Sequence, residues 1–188
     1  EGVNLVSFPI TDQLKASDLP EEITRVSRTI NGRFENFELD NDEGDDFELE
    51  IGKAYIVESS EETSFSSDQV TEINAFEYNF NKNEISLFSI PFEVDLKFSD
   101  LKESLNQDFT ITYYDVEQSK FNAYISSFTS DSSELNQQFN LGQGYMFIAK
   151  DQDIEFGITR DGTIFFKPEP FCADLNLDEK INEKDLEI

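Results

Sequence analysis

The chain contains no histidine, a single cysteine and no apolar run approaching the ~20 residues that cross a bilayer as a helix. Without histidine, neither a Ser-His nor a Cys-His relay can be assembled. Zinc sites built on histidine, or on four cysteines, are excluded with them. Glycine-rich phosphate loops and the G-x-S-x-G nucleophile elbow are also missing. With Cys172 alone, no disulfide can close within the chain. That residue is read as a small side chain near the C-terminus, or as one half of an intermolecular bridge. Basic residues are scarce: 14 Lys and Arg face 41 Asp and Glu, for a formal net charge of −27. Such a surface repels nucleic acid and anionic membranes, and repels other copies of itself unless cations intervene. A pair of carboxylates of the glycosidase kind is guaranteed by this composition and carries no weight without geometry. The chain is therefore read as non-catalytic.

What is abundant is aromatic. Nineteen Phe and six Tyr in 188 residues, within a hydrophobic share of 37%, require a packed core. The length suits one domain of ordinary size or two small ones. Self-similarity favours two. Leu5, Ser7, Pro9, Leu14, Lys15, Ser17, Asp18 and Leu19 recur 82 positions further on as Leu87, Ser89, Pro91, Leu96, Lys97, Ser99, Asp100 and Leu101. Ile51-Gly52-Lys53-Ala54-Tyr55 is matched by Leu141-Gly142-Gln143-Gly144-Tyr145 at an offset of 90. The growing offset places insertions in loops of the second copy, where length change is tolerated.

Each copy reads alike. An opening strand (3–9 and 84–91) ends at proline. A short helix follows, with Asp18 and Asp100 as expected N-caps and Glu21 and Glu103 completing capping boxes. Pro20 is placed in the first helical turn. Strands are expected over 23–30, 33–39, 47–50 and 53–57, and over 109–114, 120–128, 138–141 and 145–150. Asp161-Gly162 signals a type I′ hairpin. The expected fold is mainly β: two tandem homologous modules, each with one short helix, over 1–80 and 81–168, then a calcium loop and helix over 169–188.

The last stretch reads D-L-N-L-D-E-K-I-N-E-K-D-L-E-I. Asp174, Asn176, Asp178, Asn182 and Asp185 occupy positions 1, 3, 5, 9 and 12 of an EF-hand-type loop, and Lys180 at position 7 offers its carbonyl. Calcium takes six to eight oxygens, and this spacing wraps a short loop around one ion. A second, weaker candidate is the acidic run holding Asp40, Asp42, Asp45 and Asp46, read first as a solvated loop. Tyr113, Tyr114, Phe121 and Tyr124 can stack on sugar, but at strand spacing they are read first as core.

Two resemblances follow from these strings. The C-terminal segment resembles one calcium-binding repeat of a dockerin, with D-x-N-x-D, apolar Ile181 at position 8 and Asp185 at position 12. It departs in having Glu179 where a turn glycine is usual and in being one repeat rather than two. The strings N-L-V-S-F-P and I-G-K-A-Y-I-V resemble a repeat of secreted archaeal and bacterial surface proteins, with Val3 in place of the usual Trp. Together they imply an extracellular or cell-surface structural subunit that assembles with itself and has a calcium-stabilised tail. The alternatives are a dockerin-type module engaging a cohesin-like extracellular partner, and a carbohydrate-binding or adhesion module. Nucleic acid and membrane insertion are not expected. The chain begins at Glu1 without an initiator methionine or signal peptide, and is read as a processed chain or a trimmed fragment.

Overall fold

Strict alternation in Phe109-Thr110-Ile111-Thr112-Tyr113 buries Phe109, Ile111 and Tyr113 on one face of a strand and leaves the threonines half-exposed. Similar patterning builds most of the protein, which is mainly β. The computed structural model describes residues 2–8, 14–64 and 73–166. In chain order the elements are β1 (Gly2–Val6), β2 (Ile23–Ile30), β3 (Arg33–Glu38), β4 (Glu43–Gly44), β5 (Tyr55–Ser59), β6 (Ala75–Phe80), β7 (Ser86–Phe88), α1 (Phe98–Leu105), β8 (Phe109–Asp115), β9 (Lys120–Ile125), β10 (Tyr145–Ala149), β11 (Ile154–Thr159) and β12 (Ile164–Phe165). A 3-10 turn, Ala16–Asp18, lies between β1 and β2.

Three antiparallel sheets result, ordered β1-β5-β2-β3-β4, β7-β10-β8-β9 and β12-β11-β6. Apart from β4, the first two have the same order when β1, β2, β3 and β5 are set against β7, β8, β9 and β10. The third sheet joins the two halves. β6 pairs along its length with β11, from Ala75↔Thr159 to Phe80↔Ile154. It covers the second sheet, so Tyr78, Phe80, Phe156 and Ile158 share one core with Phe88, Ile111, Phe147 and the α1 residues Phe98 and Leu101. Phe80 stacks on Phe147 at 4.2 Å between ring centroids. The first sheet has its own core of Phe8, Ile23, Val26, Phe37, Phe47, Tyr55 and Val57.

Hydrogen bonds recur at the offsets of 82 and 90. Leu49 N–H donates to Leu14 C=O at 2.7 Å, and Phe139 N–H to Leu96 C=O at 2.9 Å. Glu50 N–H donates to the Tyr55 hydroxyl at 2.6 Å, and Asn140 N–H to the Tyr145 hydroxyl at 2.7 Å. The two halves also grip each other reciprocally. Ser7 N–H donates to Gly142 C=O at 2.9 Å, and Ser89 N–H to Gly52 C=O at 3.0 Å. Bridges Val6↔Gln143 and Lys53↔Phe88 sit beside them. Each half thus ends its first strand on the other half's glycine loop, about a local two-fold axis. At that axis Leu5, Ala54 and Leu87 form a small buried cluster with Ile56, Tyr114 and Met146 around it.

Several expectations change. Asp18 and Asp100 are not N-caps. Lys15 and Lys97 hold those positions, pinned by bridges to Glu48 and Gln138. The aspartates sit three residues later and accept the Lys15 and Lys97 N–H groups at 2.8 and 2.7 Å. In the first half the helix stops after one turn. Pro20 occupies the position of Lys102, lacks an N–H and drives Leu19 into extended backbone (ψ 158°). The expected strands at 47–50 and 138–141 are single bridges. A type I′ turn occurs at Asn31-Gly32, both at positive φ (50° and 72°), whereas in Arg160-Asp161-Gly162 only Gly162 is (85°).

Gly144 marks the closest approach at the axis. A Cβ there would meet Ala54 Cβ at 2.7 Å and Leu5 Cγ at 3.0 Å. One methyl fits between the halves, and Ala54 supplies it. Gly144→Ala is expected to cost about 1–3 kcal/mol in urea unfolding. Adding Ala54→Gly should recover part of that loss, since Leu5 Cγ and the Val6 N remain 3.0 Å from the new methyl; strictly additive effects would contradict the shared contact.

Candidate binding cleft

The sequence-derived calcium ligands Asp174, Asn176, Asp178, Lys180, Asn182 and Asp185, together with Cys172, lie outside the described residues. The second acidic candidate is inside them. Asp40 and Asp42 fall between β3 and β4, and Asp45 and Asp46 follow β4. The carboxylate of Asp46 ties its loop to the 3-10 turn. It accepts Ser17 N–H at 3.0 Å and the Ser17 hydroxyl at 2.9 Å, with Lys15 Nζ at 3.6 Å. In the second half an amide takes the same place, since Asn136 Oδ1 accepts Ser99 N–H at 2.9 Å. An uncharged group serves equally there, so Asp46 acts as a loop clamp. Among the described residues no three Asp, Glu or Cys side chains stand together as a ligand set.

The four aromatic candidates separate by environment. Tyr124 is wholly buried, with its hydroxyl unpartnered, and is core. Phe121 is 45% exposed on the outer face of β9. Its ring meets Tyr114 edge-on at 5.1 Å. Tyr113 is nearly buried, and Tyr113 and Tyr114 both reach a cleft of about 870 Å³ beside the junction of the halves.

That cleft is built where β1 of the first half meets the end of β8. Leu5 and Val6 form one side, and the glycine loop Gly142–Gln143 forms the base. The turn after β8 and the segment around Glu134–Gln137 form the other side. Its polar groups are fixed. The Tyr145 hydroxyl is held by Asn140 N–H and lies 3.4 Å from Gln143 Oε1. Gln143 Nε2 donates to Tyr114 C=O at 3.3 Å. Asn122 Nδ2 donates to Asp115 Oδ2 at 3.2 Å. Across the axis the matching hollow is only about 260 Å³. Two differences shrink it. A two-residue turn links β2 to β3, against four residues between β8 and β9. Arg28 also stands at the register position of Tyr113, 4.3 Å above the Phe47 ring and ion-paired to Glu35 at 3.0 Å. Sequence reasoning finds the tyrosines but misses the amides; the Asn- and Gln-rich run 136–143 is the available signal.

Burial shapes the tyrosine chemistry. It pushes Tyr55 up to about 12, against the counteracting Glu50 N–H, and Tyr124 up to about 12, where Asp131 and Asp100 add to it. Tyr78 and Tyr145 are raised as well, chiefly by burial, and Tyr113 by burial and then by Asp115.

Comparison with family models, with curated proteins and with solved structures yields no match.

Five of the six tyrosines therefore hold their protons more tightly folded than unfolded. Folded values above the unfolded 10.0 mean the stabilisation is complete below pH 10 and is lost as pH climbs toward 12 and beyond. The urea midpoint should fall steeply between about pH 10 and 12. Tyrosinate absorbance in the near ultraviolet should rise together with unfolding. Full ionisation of a still-folded chain would contradict the burial.

Proposed function

We propose that the chain is a non-catalytic, extracellular structural protein: two tandem homologous modules joined about a local two-fold axis, with a calcium-ordered tail over 169–188 that promotes self-assembly. The observation that carries the assembly reading is an asymmetry of sheet edges. In the first sheet β4 lies outside β3. In the second, β9 has no strand beyond it among the described residues. Phe121 (45%), Ile125 (40%) and Phe128 (89%) are exposed on or just after β9. The Ile125 N–H and C=O are taken by the Thr129 hydroxyl and by the Phe128 and Thr129 N–H groups, so the open edge is the part of β9 before it. With exposed apolar residues beside it, that edge is a template for strand addition, here by a second copy.

Charge explains why a metal enters. Copies of net charge −27 repel, and a divalent ion reduces that repulsion where it binds. The donors Asp174, Asn176, Asp178, Asp185, the Lys180 carbonyl and Asn182 are all oxygen, the set a hard cation takes. When bound, the ion supplies charge neutralisation and a fixed centre for the tail. No reaction is assigned to it, and no helix among the described residues is long and apolar enough to cross a membrane.

Light scattering on a sizing column tests this in excess calcium and again in chelator. Large species with calcium that dissociate in chelator are expected. Asp174→Ala with Asp185→Ala should leave only monomer under both conditions, and Phe121→Lys with Ile125→Lys should do the same while leaving calcium binding intact. A monomeric wild type in calcium would overturn the assembly reading and favour a module that engages another protein.

A further inference from the structure

We infer that the cleft beside the junction binds a neutral oligosaccharide. Three properties select that class. The first is charge: Asp115, Glu117 and Glu134 line the cleft against one basic residue, Lys120, so anionic sugars, nucleotides and phosphates are repelled. The second is hydrogen-bonding capacity. The amides of Gln118, Asn122, Gln137 and Gln143 line the same space, each able to donate and accept as sugar hydroxyls do. Asn122, Gln137 and Gln143 each donate one N–H to a protein oxygen. A lipid or other apolar ligand would strip water from the amide positions left open, at a cost that disfavours it. The third is the ring of Tyr114. It lines the cleft, is partly exposed, packs against the Leu5, Ala54 and Leu87 cluster and is braced edge-on by Phe121 at 5.1 Å. The part of the ring left open can meet the C–H side of a pyranose.

The site is also preformed. The Tyr145 hydroxyl is fixed by Asn140 N–H at 2.7 Å, and Gln143 is tied to the Tyr114 carbonyl. Little ordering entropy is then lost on binding. A volume of about 870 Å³ is within the range of small-ligand sites. The matching hollow across the axis acts as an internal comparison. There Arg28 stands where Tyr113 does, and the space is about 260 Å³. The two-fold is therefore broken at this cleft, and the described residues of each chain are expected to hold one such site. Lys120, Phe121 and Asn122 lie on β9, so the sugar test uses Tyr114 and Gln118, which lie outside that strand and outside the calcium tail, and its failure is distinguishable from failure of the assembly proposal.

Saturation-transfer NMR and calorimetry on the whole chain test it. The probes are neutral oligosaccharides of glucose, galactose, mannose and N-acetylglucosamine, with hexalysine as a cationic comparator. At least one neutral sugar should bind, one per chain, equally in calcium and in chelator. Tyr114→Ala should weaken it by about tenfold or more. Gln118 is an exposed turn residue, so Gln118→Ala should keep the native circular dichroism and still weaken binding measurably. Binding of hexalysine alone, binding of none of the four sugars at millimolar concentration, or sugar binding indifferent to both substitutions would each overturn the inference.

Discussion

Two backbone hydrogen bonds set the rest of this structure. Ser7 N–H on Gly142 and Ser89 N–H on Gly52 are related by the local axis, and each uses the end of one half's first strand to occupy the other half's loop. A first strand at a sheet edge has unpaired polar groups on its outer side. Here the end of each first strand closes on the other half's glycine loop rather than on water. The geometry tolerates little slack: Ala54 and Gly144 face each other with room for one methyl, and Leu5 and Leu87 close the space around them. The junction is small and specific, and β6 reinforces it by lending Tyr78 and Phe80 to the other half's core.

From that near-symmetry the differences acquire meaning. Pro20 against Lys102 cuts the first half's helix to a single turn, while α1 runs eight residues and adds Phe98, Leu101 and Leu105 to the larger core. Arg28 against Tyr113 exchanges an ion pair over Phe47 for a hydroxyl at a cleft. The first sheet carries its charge as cross-strand pairs, with Arg25 on β2 held between Glu38 on β3 and Glu58 on β5. That guanidinium is raised further above its ordinary range, first by the Glu38 hydrogen bond. The second half instead presents amides and an open edge. The cleft is lined mainly by the second half, and Asn4, Leu5 and Val6 of the first half close it.

Much of the strand pattern is legible from residues. Ile23–Ile30 shows the expected limits because Pro20-Glu21-Glu22 precedes it and the Asn31-Gly32 turn follows it, and 109–113 because its alternation is unbroken. What local pattern does not reveal is partnership. Nothing in Ala75–Phe80 says that it pairs with β11 rather than with its own half, because strand propensity does not encode the partner. Phe47–Glu50 reads as a strand by composition, yet the hydroxyl of Tyr55 takes the Glu50 N–H that a neighbouring strand would use. Asp18 reads as an N-cap because Asp favours that position, but a capping box also accepts an acid at its third residue. The cleft is half-visible in the sequence. Its tyrosines stand out and its amides do not, since Asn and Gln in a loop give no periodic signal. The calcium loop rests on spacing alone.

Native-state hydrogen exchange at the Ser7 and Ser89 amides tests the junction most directly. If the two halves fold as one unit through these bonds, both amides exchange only by global unfolding. Their opening free energies should then equal those of central strand amides such as Val26 in the first sheet and Phe147 in the second. Exchange at Ser7 and Ser89 by a lower-energy opening, with Val26 and Phe147 still protected and differing from each other, would mean that the halves are independent and the junction incidental.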